Sequence, residues 1–168
     1  VSGEGGHVDF APVGEQEIDI LRYLNTTKKR VSYEQLLSGY GLEQIYQALA
    51  NAESSKNTDE ETPRLSAQEI SKQGVENSCH LSNQALLIFC QILGSFAGNL
   101  ALIMNSQGGV YIAGGIVPRF IDFIISSDFR KRFETKGRLS NITQQTPTYV
   151  ITEAQPGLLG AAAFLLQQ

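Results

Sequence analysis

Gly108-Gly109-Val110-Tyr111-Ile112-Ala113-Gly114-Gly115-Ile116-Val117-Pro118-Arg119 is the stretch on which the reading of the fold turns. A short run of β-branched and aromatic residues enters a double glycine, and Pro118 stands where a helix can open. That order spells a buried strand, a tight turn and a helix start. Immediately upstream, residues 81–104 are apolar on nearly every side, interrupted, beyond Ser82 and Asn83 in the first turn, by Gln84, Gln91, Ser95 and Asn99. A helix this apolar must be central, and we expect a sheet on one side of it and helices on the other. Gly94 and Gly98, one turn apart, allow another backbone to come close. Downstream, Arg130, Lys131, Arg132, Lys136 and Arg138 form a basic cluster, read as a solvated amphipathic face around Phe129 and Phe133. A second strand is expected over 148–151, then a final helix with Pro156 near its first position. Helices alternating with short buried strands indicate an α/β layered fold.

Toward the N-terminus, Val8-Asp9-Phe10-Ala11 reads as a short extended segment ended by Pro12. A helix starts near Glu15, with Ile18, Leu21 and Leu24 on one face and acidic residues in its first turns, where the helix dipole favours them. Residues 33–37 read as a second short helix that Ser38-Gly39 stops. A third covers 42–50. Residues 51–63 are almost free of apolar side chains, which marks an exposed loop. Ser66-Ala67-Gln68-Glu69 has the form of a capping box and opens a helix to about Glu76.

Composition excludes several classes. The 168 residues carry 13 Lys+Arg against 17 Asp+Glu, a net charge of −4, so the broad basic face that nucleic acid requires is not expected. Two cysteines cannot staple such a length, and Cys79 and Cys90 on one helix would sit about 16 Å apart, too far to bridge. A reduced, cytoplasmic setting is the simplest expectation. Unbroken apolar runs such as 85–90 do not exceed six residues, and no membrane span is expected. Val1-Ser2-Gly3-Glu4-Gly5-Gly6-His7 has neither a basic start nor an apolar core, so no signal peptide is expected, and the chain reads as beginning inside something longer.

Three features can carry chemistry. In Gly3-Glu4-Gly5-Gly6-His7, glycines permit a tight backbone approach while a carboxylate and an imidazole three residues apart converge on one small polar ligand. The bland alternative is a solvated turn. Gly114 and Gly115 can expose helix N–H groups to a base or a phosphate, or simply make a tight βα turn. Neither the dinucleotide fingerprint nor the phosphate loop is present there. Glu34 is a carboxylate beside Tyr33, just before Ser38-Gly39-Tyr40-Gly41; by pattern alone it is a surface residue. Cys79-His80 lacks partners at metal spacing, and Asp9 reads as a structural hydrogen-bond acceptor.

Five separated strings occur together and in order: 3–12, 32–39, 98–102, 108–119 and 156–160. As a set they resemble the C-terminal half of the bacterial glucokinase family, the ATP-dependent type of proteobacteria and cyanobacteria. The resemblance covers essentially the whole chain. It implies an α/β, actin-like and hexokinase-like (ribonuclease H-like) large lobe, a sheet flanked by helices, with the N-terminal lobe absent from this chain. It implies that 1–155 form that lobe and that 156–168 form a helix that packs on the small lobe. Leu158, Leu159, Phe164 and Leu165 are then expected to fold back or to bury themselves against a neighbour, as a homodimer or an association of fragments. It implies transfer of the γ-phosphoryl of ATP to D-glucose, with Mg²⁺, in the cytoplasm at the entry to glycolysis. Glu4, His7 and Glu34 are the implied sugar-binding residues, and Gly114 and Gly115 the implied adenosine-binding turn. The family's Asp-Val-Gly-Gly-Thr-Asn phosphate loop, its Asn-Asp pair carrying the general base and its second glycine-rich phosphate turn have no match here. This chain alone is therefore expected to be inactive. Ser2 stands where the family usually has Pro. A sugar-sensing module without kinase activity and a kinase for another hexose are the competing expectations.

Overall fold

The computed structural model describes residues 3–54 and 63–167. The polar loop expected over 51–63 is helical as far as Ser54, and the remainder of its core, like Ser2, lies outside the described residues. The elements are α1 (Glu15–Asn25), α2 (Gly39–Ser54), α3 (Ala67–Val75), α4 (His80–Met104), β1 (Val110–Ile112), α5 (Ile121–Ser126), α6 (Phe129–Glu134), α7 (Ser140–Gln145), β2 (Thr148–Val150) and α8 (Pro156–Leu165). Short 3₁₀ turns cover Gly5–His7, Val117–Phe120 and Gly137–Leu139.

The axis of the lobe is α4. Its 25 residues are long and apolar enough, by length and composition, to cross a membrane. Its fully buried Ala85, Leu86, Cys90 and Ile92 pack instead inside a protein core. Helices α2, α3 and α6 cover it. The expected sheet cover is replaced by this helical jacket, because the described strands form a sheet of only two, too narrow to span such a helix. β1 and β2 pair in parallel, Val110 with Thr148, Tyr111 with Tyr149 and Ile112 with Val150. Strand alternation puts Ile112 into the core and leaves Tyr111 and Tyr149 stacked outside, ring centroids 4.9 Å apart.

Local chemistry explains the boundaries. Glu69 receives the Ser66 N–H at 2.9 Å while Ser66 Oγ accepts from the Glu69 N–H at 3.3 Å, a complete capping box. Asn105 ends α4 in the left-handed conformation. Pro156 opens α8, as the proline there requires. Pro118 opens a 3₁₀ turn first, and α5 follows.

Two sequence readings are corrected. Residues 33–37 form a turn rather than a helix, and Ser38-Gly39 starts α2 rather than stopping anything. The basic cluster is only partly solvated. Arg132 lies 2.7 Å from Glu17 in a buried ion pair, donates through Nε to Ser95 Oγ at 2.9 Å, and so ties α1, α4 and α6 together. The Arg132–Glu17 contact is ionic rather than an aligned hydrogen bond; Glu17 Oε2 is occupied by the Val13 N–H at 2.7 Å. Arg130 donates to Glu134 and to the carbonyls of Thr143 and Thr146, stitching α6 to the approach of β2.

The cysteines differ sharply. Burial pushes the Cys90 thiol up to about 12, against a hydrogen bond with Ser127. Its folded pKa is raised, so its contribution to stability is whole below the unfolded value of 9.0 and is lost as pH rises toward the folded one. For Cys79 burial pushes upward, but hydrogen bonds from Ser82 and Leu81 outweigh it and the thiol lies below its ordinary value. Iodoacetamide at pH 8 should therefore label Cys79 and spare Cys90, read by peptide mass. Equal labelling would contradict the packing described here.

Candidate functional site

The segment 6–10 lies alongside 31–34. Phe10 N–H donates to the Val31 carbonyl at 3.0 Å, Tyr33 N–H to Val8 at 3.2 Å and Glu34 N–H to Gly6 at 2.7 Å, with Asp9 and Ser32 bridged antiparallel. These main-chain bonds tie the start of the 33–37 turn back to the N-terminal segment, and they carry Glu34 to the glycine turn. Gly6 lets it settle there: a Cβ at that position would stand 2.8 Å from Glu34 Oε2. The Glu34 carboxylate thus lies over the backbone of the turn that presents Glu4 and His7.

The turn closes on the His7 N–H bond to the Glu4 carbonyl at 3.0 Å, and His7 Nε2 comes within 3.8 Å of Glu4 Oε2. Both side chains are open to solvent, so the polar atoms are available to a ligand. Support comes from α4, where Phe96 and Leu100 sit one turn apart. Tyr33 stacks on Phe96 at 4.5 Å and meets Phe10 edge-on at 5.5 Å, while Leu100 underlies Gly5. Burying Tyr33 turns its neighbour Glu34 outward.

Asp9 accepts from Arg30 Nε, and Arg30 Nη2 donates to the His7 carbonyl at 2.5 Å. Sequence reading missed Arg30. It ends the run Lys28-Lys29-Arg30 before Val31, indistinguishable by pattern from its solvated neighbours.

Gly114 and Gly115 follow β1 directly. Gly114 has φ +119, a backbone conformation that favours glycine, and nothing lies within 4 Å of where either Cβ would stand. A cavity of about 120 Å³ joins this turn to Leu37, Phe89 and Leu93. Leu37 is three residues beyond Glu34 in the same turn, at most about 10 Å along the chain. The double glycine thus shares a cavity with Leu37, three residues beyond Glu34. Among the described residues, no three His, Cys, Asp or Glu side chains gather into a set that could hold a metal ion.

A parallel-stranded α/β lobe built on a central apolar helix, bearing a polar cluster and an open glycine turn, belongs to the class of hexokinase-like large lobes. The glucokinase family model matches residues 1–168, and the chain belongs to the glucokinase family. It is 64% identical over 167 residues to a glucokinase of Colwellia psychrerythraea, covering 99% of this chain and 51% of that one. It is 48% identical to a glucokinase of Photorhabdus laumondii over 99% of this chain and 50% of that one. A crystal structure of glucokinase from an Antarctic psychrotroph superposes with TM-score 0.87 at 35% identity, covering all of this chain and 51% of the other. A glucokinase from Balamuthia mandrillaris in complex with glucose shares the fold, TM-score 0.72 at 21% identity, over 91% of this chain and 43% of that one. The chain spans about half the length of the curated relatives it matches.

Proposed function

We propose that this chain is the C-terminal part of an ATP-dependent glucokinase that phosphorylates D-glucose to glucose 6-phosphate in the cytoplasm, at the entry to glycolysis. The observation that carries the reading is the Glu34 carboxylate lying over Gly6, beside Glu4 and His7. Carboxylates accept strong hydrogen bonds from sugar hydroxyls, and the imidazole both donates and accepts. Three such groups around one turn suit vicinal hydroxyls. An epimer with one hydroxyl displaced would leave an acceptor without its partner once the site closes over the sugar.

In this reading Gly114 and Gly115 admit the nucleotide: their missing side chains and free Cβ space allow close backbone approach. Mg²⁺ supplies charge neutralisation on the phosphates when ATP binds, and this chain's part is to hold sugar and nucleoside. The base that takes the sugar proton lies on the N-terminal portion, so residues 1–168 alone are inactive. Residues 1–155 are the large lobe, and 156–168 dock on the small lobe. Among the described residues α8 has no buried side chain, so Leu158, Leu159, Phe164 and Leu165 do not fold back onto this lobe. A homodimer is the further assembly that such an apolar surface favours.

The test is calorimetric titration of the full-length protein with glucose and mannose, together with phosphotransfer assays. Glu34→Gln and Glu4→Gln should each weaken glucose binding at least tenfold, about 1.4 kcal/mol, with the thermal unfolding midpoint unchanged. Unchanged affinity would remove those carboxylates from the site. Glucose binding without phosphotransfer in the full-length protein would make it a sensor.

A further inference from the structure

The turn that presents Glu4 and His7 has little of its own to hold it. Residues 5–7 bury no side chain, and two of the three are glycine, so the backbone there is ordered chiefly by hydrogen bonds. Two of those bonds are internal, from His7 N–H to Glu4 and from Val8 N–H to Gly5. The main-chain clasp with 31–34 engages Gly6, Val8 and Phe10, which alternate along the segment, and passes over the carbonyl of His7. That carbonyl is met by Arg30 Nη2 at 2.5 Å. The same guanidinium donates through Nε to Asp9, so one planar group spans positions 7 and 9. Arg30 is itself fixed from the opposite segment, because Val31 beside it is buried and its carbonyl accepts from Phe10.

The side chains of Arg30 and Asp9 are 58% and 77% exposed, and an ion pair so open to water adds little to folding stability. Its effect is local. We propose that Arg30, aligned by Asp9, is a positioning residue for sugar binding: its grip on the His7 carbonyl fixes the backbone from which the imidazole reaches a sugar hydroxyl. A turn already set in its bound shape loses less freedom when the ligand arrives, so the clamp acts on affinity. Arg30 has no need to touch the sugar. The exposure of the pair is what makes the role separable, since removing it disturbs the turn and leaves the core alone. The inference rests on the proposed use of His7 for sugar, but the clamp itself can be read without sugar.

The experiment is calorimetric titration of the full-length protein with glucose for Arg30→Ala, His7→Ala and the two combined, beside thermal melts and amide hydrogen exchange. Arg30→Ala should weaken glucose binding about fivefold and raise the KM for glucose alike, with kcat and the thermal midpoint unchanged. In the His7→Ala background the effect of Arg30→Ala should shrink to under about twofold, since Arg30 acts only through that residue. Asp9→Ala should mimic Arg30→Ala, and Asp9→Asn, which keeps an oxygen for Nε, should recover most of the affinity. Fully additive losses would put Arg30 on the sugar itself, and a midpoint lowered along with the affinity would make the pair merely structural; either overturns the proposal. So does unchanged glucose affinity in Arg30→Ala where His7→Ala binds more weakly. Should His7→Ala leave glucose binding intact, the sugar-binding reading of His7 fails, and hydrogen exchange judges the clamp alone. In Arg30→Ala the His7 and Val8 amides must then exchange faster while those of Tyr33 and Glu34 keep their protection, and exchange equal to that of the unaltered protein overturns the clamp as well.

Discussion

Arg132→Met should lower the unfolding free energy by about 3–5 kcal/mol, because it strands the Glu17 carboxylate inside the protein without its cation. Glu17 is 2% exposed and the Arg132 side chain 15%, so the carboxylate in particular has no water as a substitute partner. The loss is expected to exceed that of any other ion pair described here, since Arg22 with Asp19 and Lys131 with Asp128 lie at the surface, where pairs contribute about 0–1 kcal/mol. Replacing both partners, as Glu17→Leu with Arg132→Met, should recover most of the stability, because a matched apolar pair leaves no buried charge behind. Urea denaturation of the two variants checks this. A double variant no more stable than the single one would mean that the ion pair does more than neutralise itself, through Ser95 or the Val13 amide.

Gly94→Ala should be nearly as damaging, and with the opposite sign to helix propensity. In the middle of an exposed helix, alanine is favoured over glycine by about 1 kcal/mol. At Gly94 an added Cβ would overlap the carbonyl oxygen of Phe129, on the backbone just where α6 begins. No rotamer change relieves a clash with main chain, so α4 and α6 must separate, costing about 3 kcal/mol. Gly160→Ala in α8, where nothing stands within 4 Å, provides the control and should stabilise its helix. Thermal melts in which Gly94→Ala is neutral would contradict the close crossing of the two helices.

Those two contacts mark the limit of what the string of residues reveals. Gly94 and Gly98 announce a close approach, and α4 itself is legible because twenty-five positions with scarcely a charge have only one place to go. The capping box at Ser66 is legible too, being a purely local arrangement. Residues 33–37 mislead for the converse reason. Tyr-Glu-Gln-Leu-Leu has helical pattern, and Leu37 N–H does reach the Tyr33 carbonyl at 2.7 Å, but the segment is drawn back along 6–10 by the Tyr33 and Glu34 amides and runs into α2 after that one turn. Arg132 misleads likewise: its partner, Glu17, sits on an element far away in the chain, and no local pattern distinguishes it from solvated Lys131. Of the site, the residue types were legible; the seating of Glu34 over Gly6 was not, since it exists only where residues 31–34 run back alongside 6–10.

The clasp between residues 6–10 and 31–34 has one more consequence. It is fastened by peptide groups, so exposed side chains such as Val8 can drift while the alignment of Glu34 over Gly6 persists. Extra residues inserted in the short connection after α1, between Thr26 and Arg30, would be absorbed as slack, whereas α1 itself is pinned by Glu17, Ile20 and Leu24. A single one inserted between Gly6 and Phe10 would move every later residue one rung along and turn its side chain to the opposite face. Evolution can therefore lengthen the connection and repaint its surface at little cost, but it has almost no freedom to change the count of the first few links.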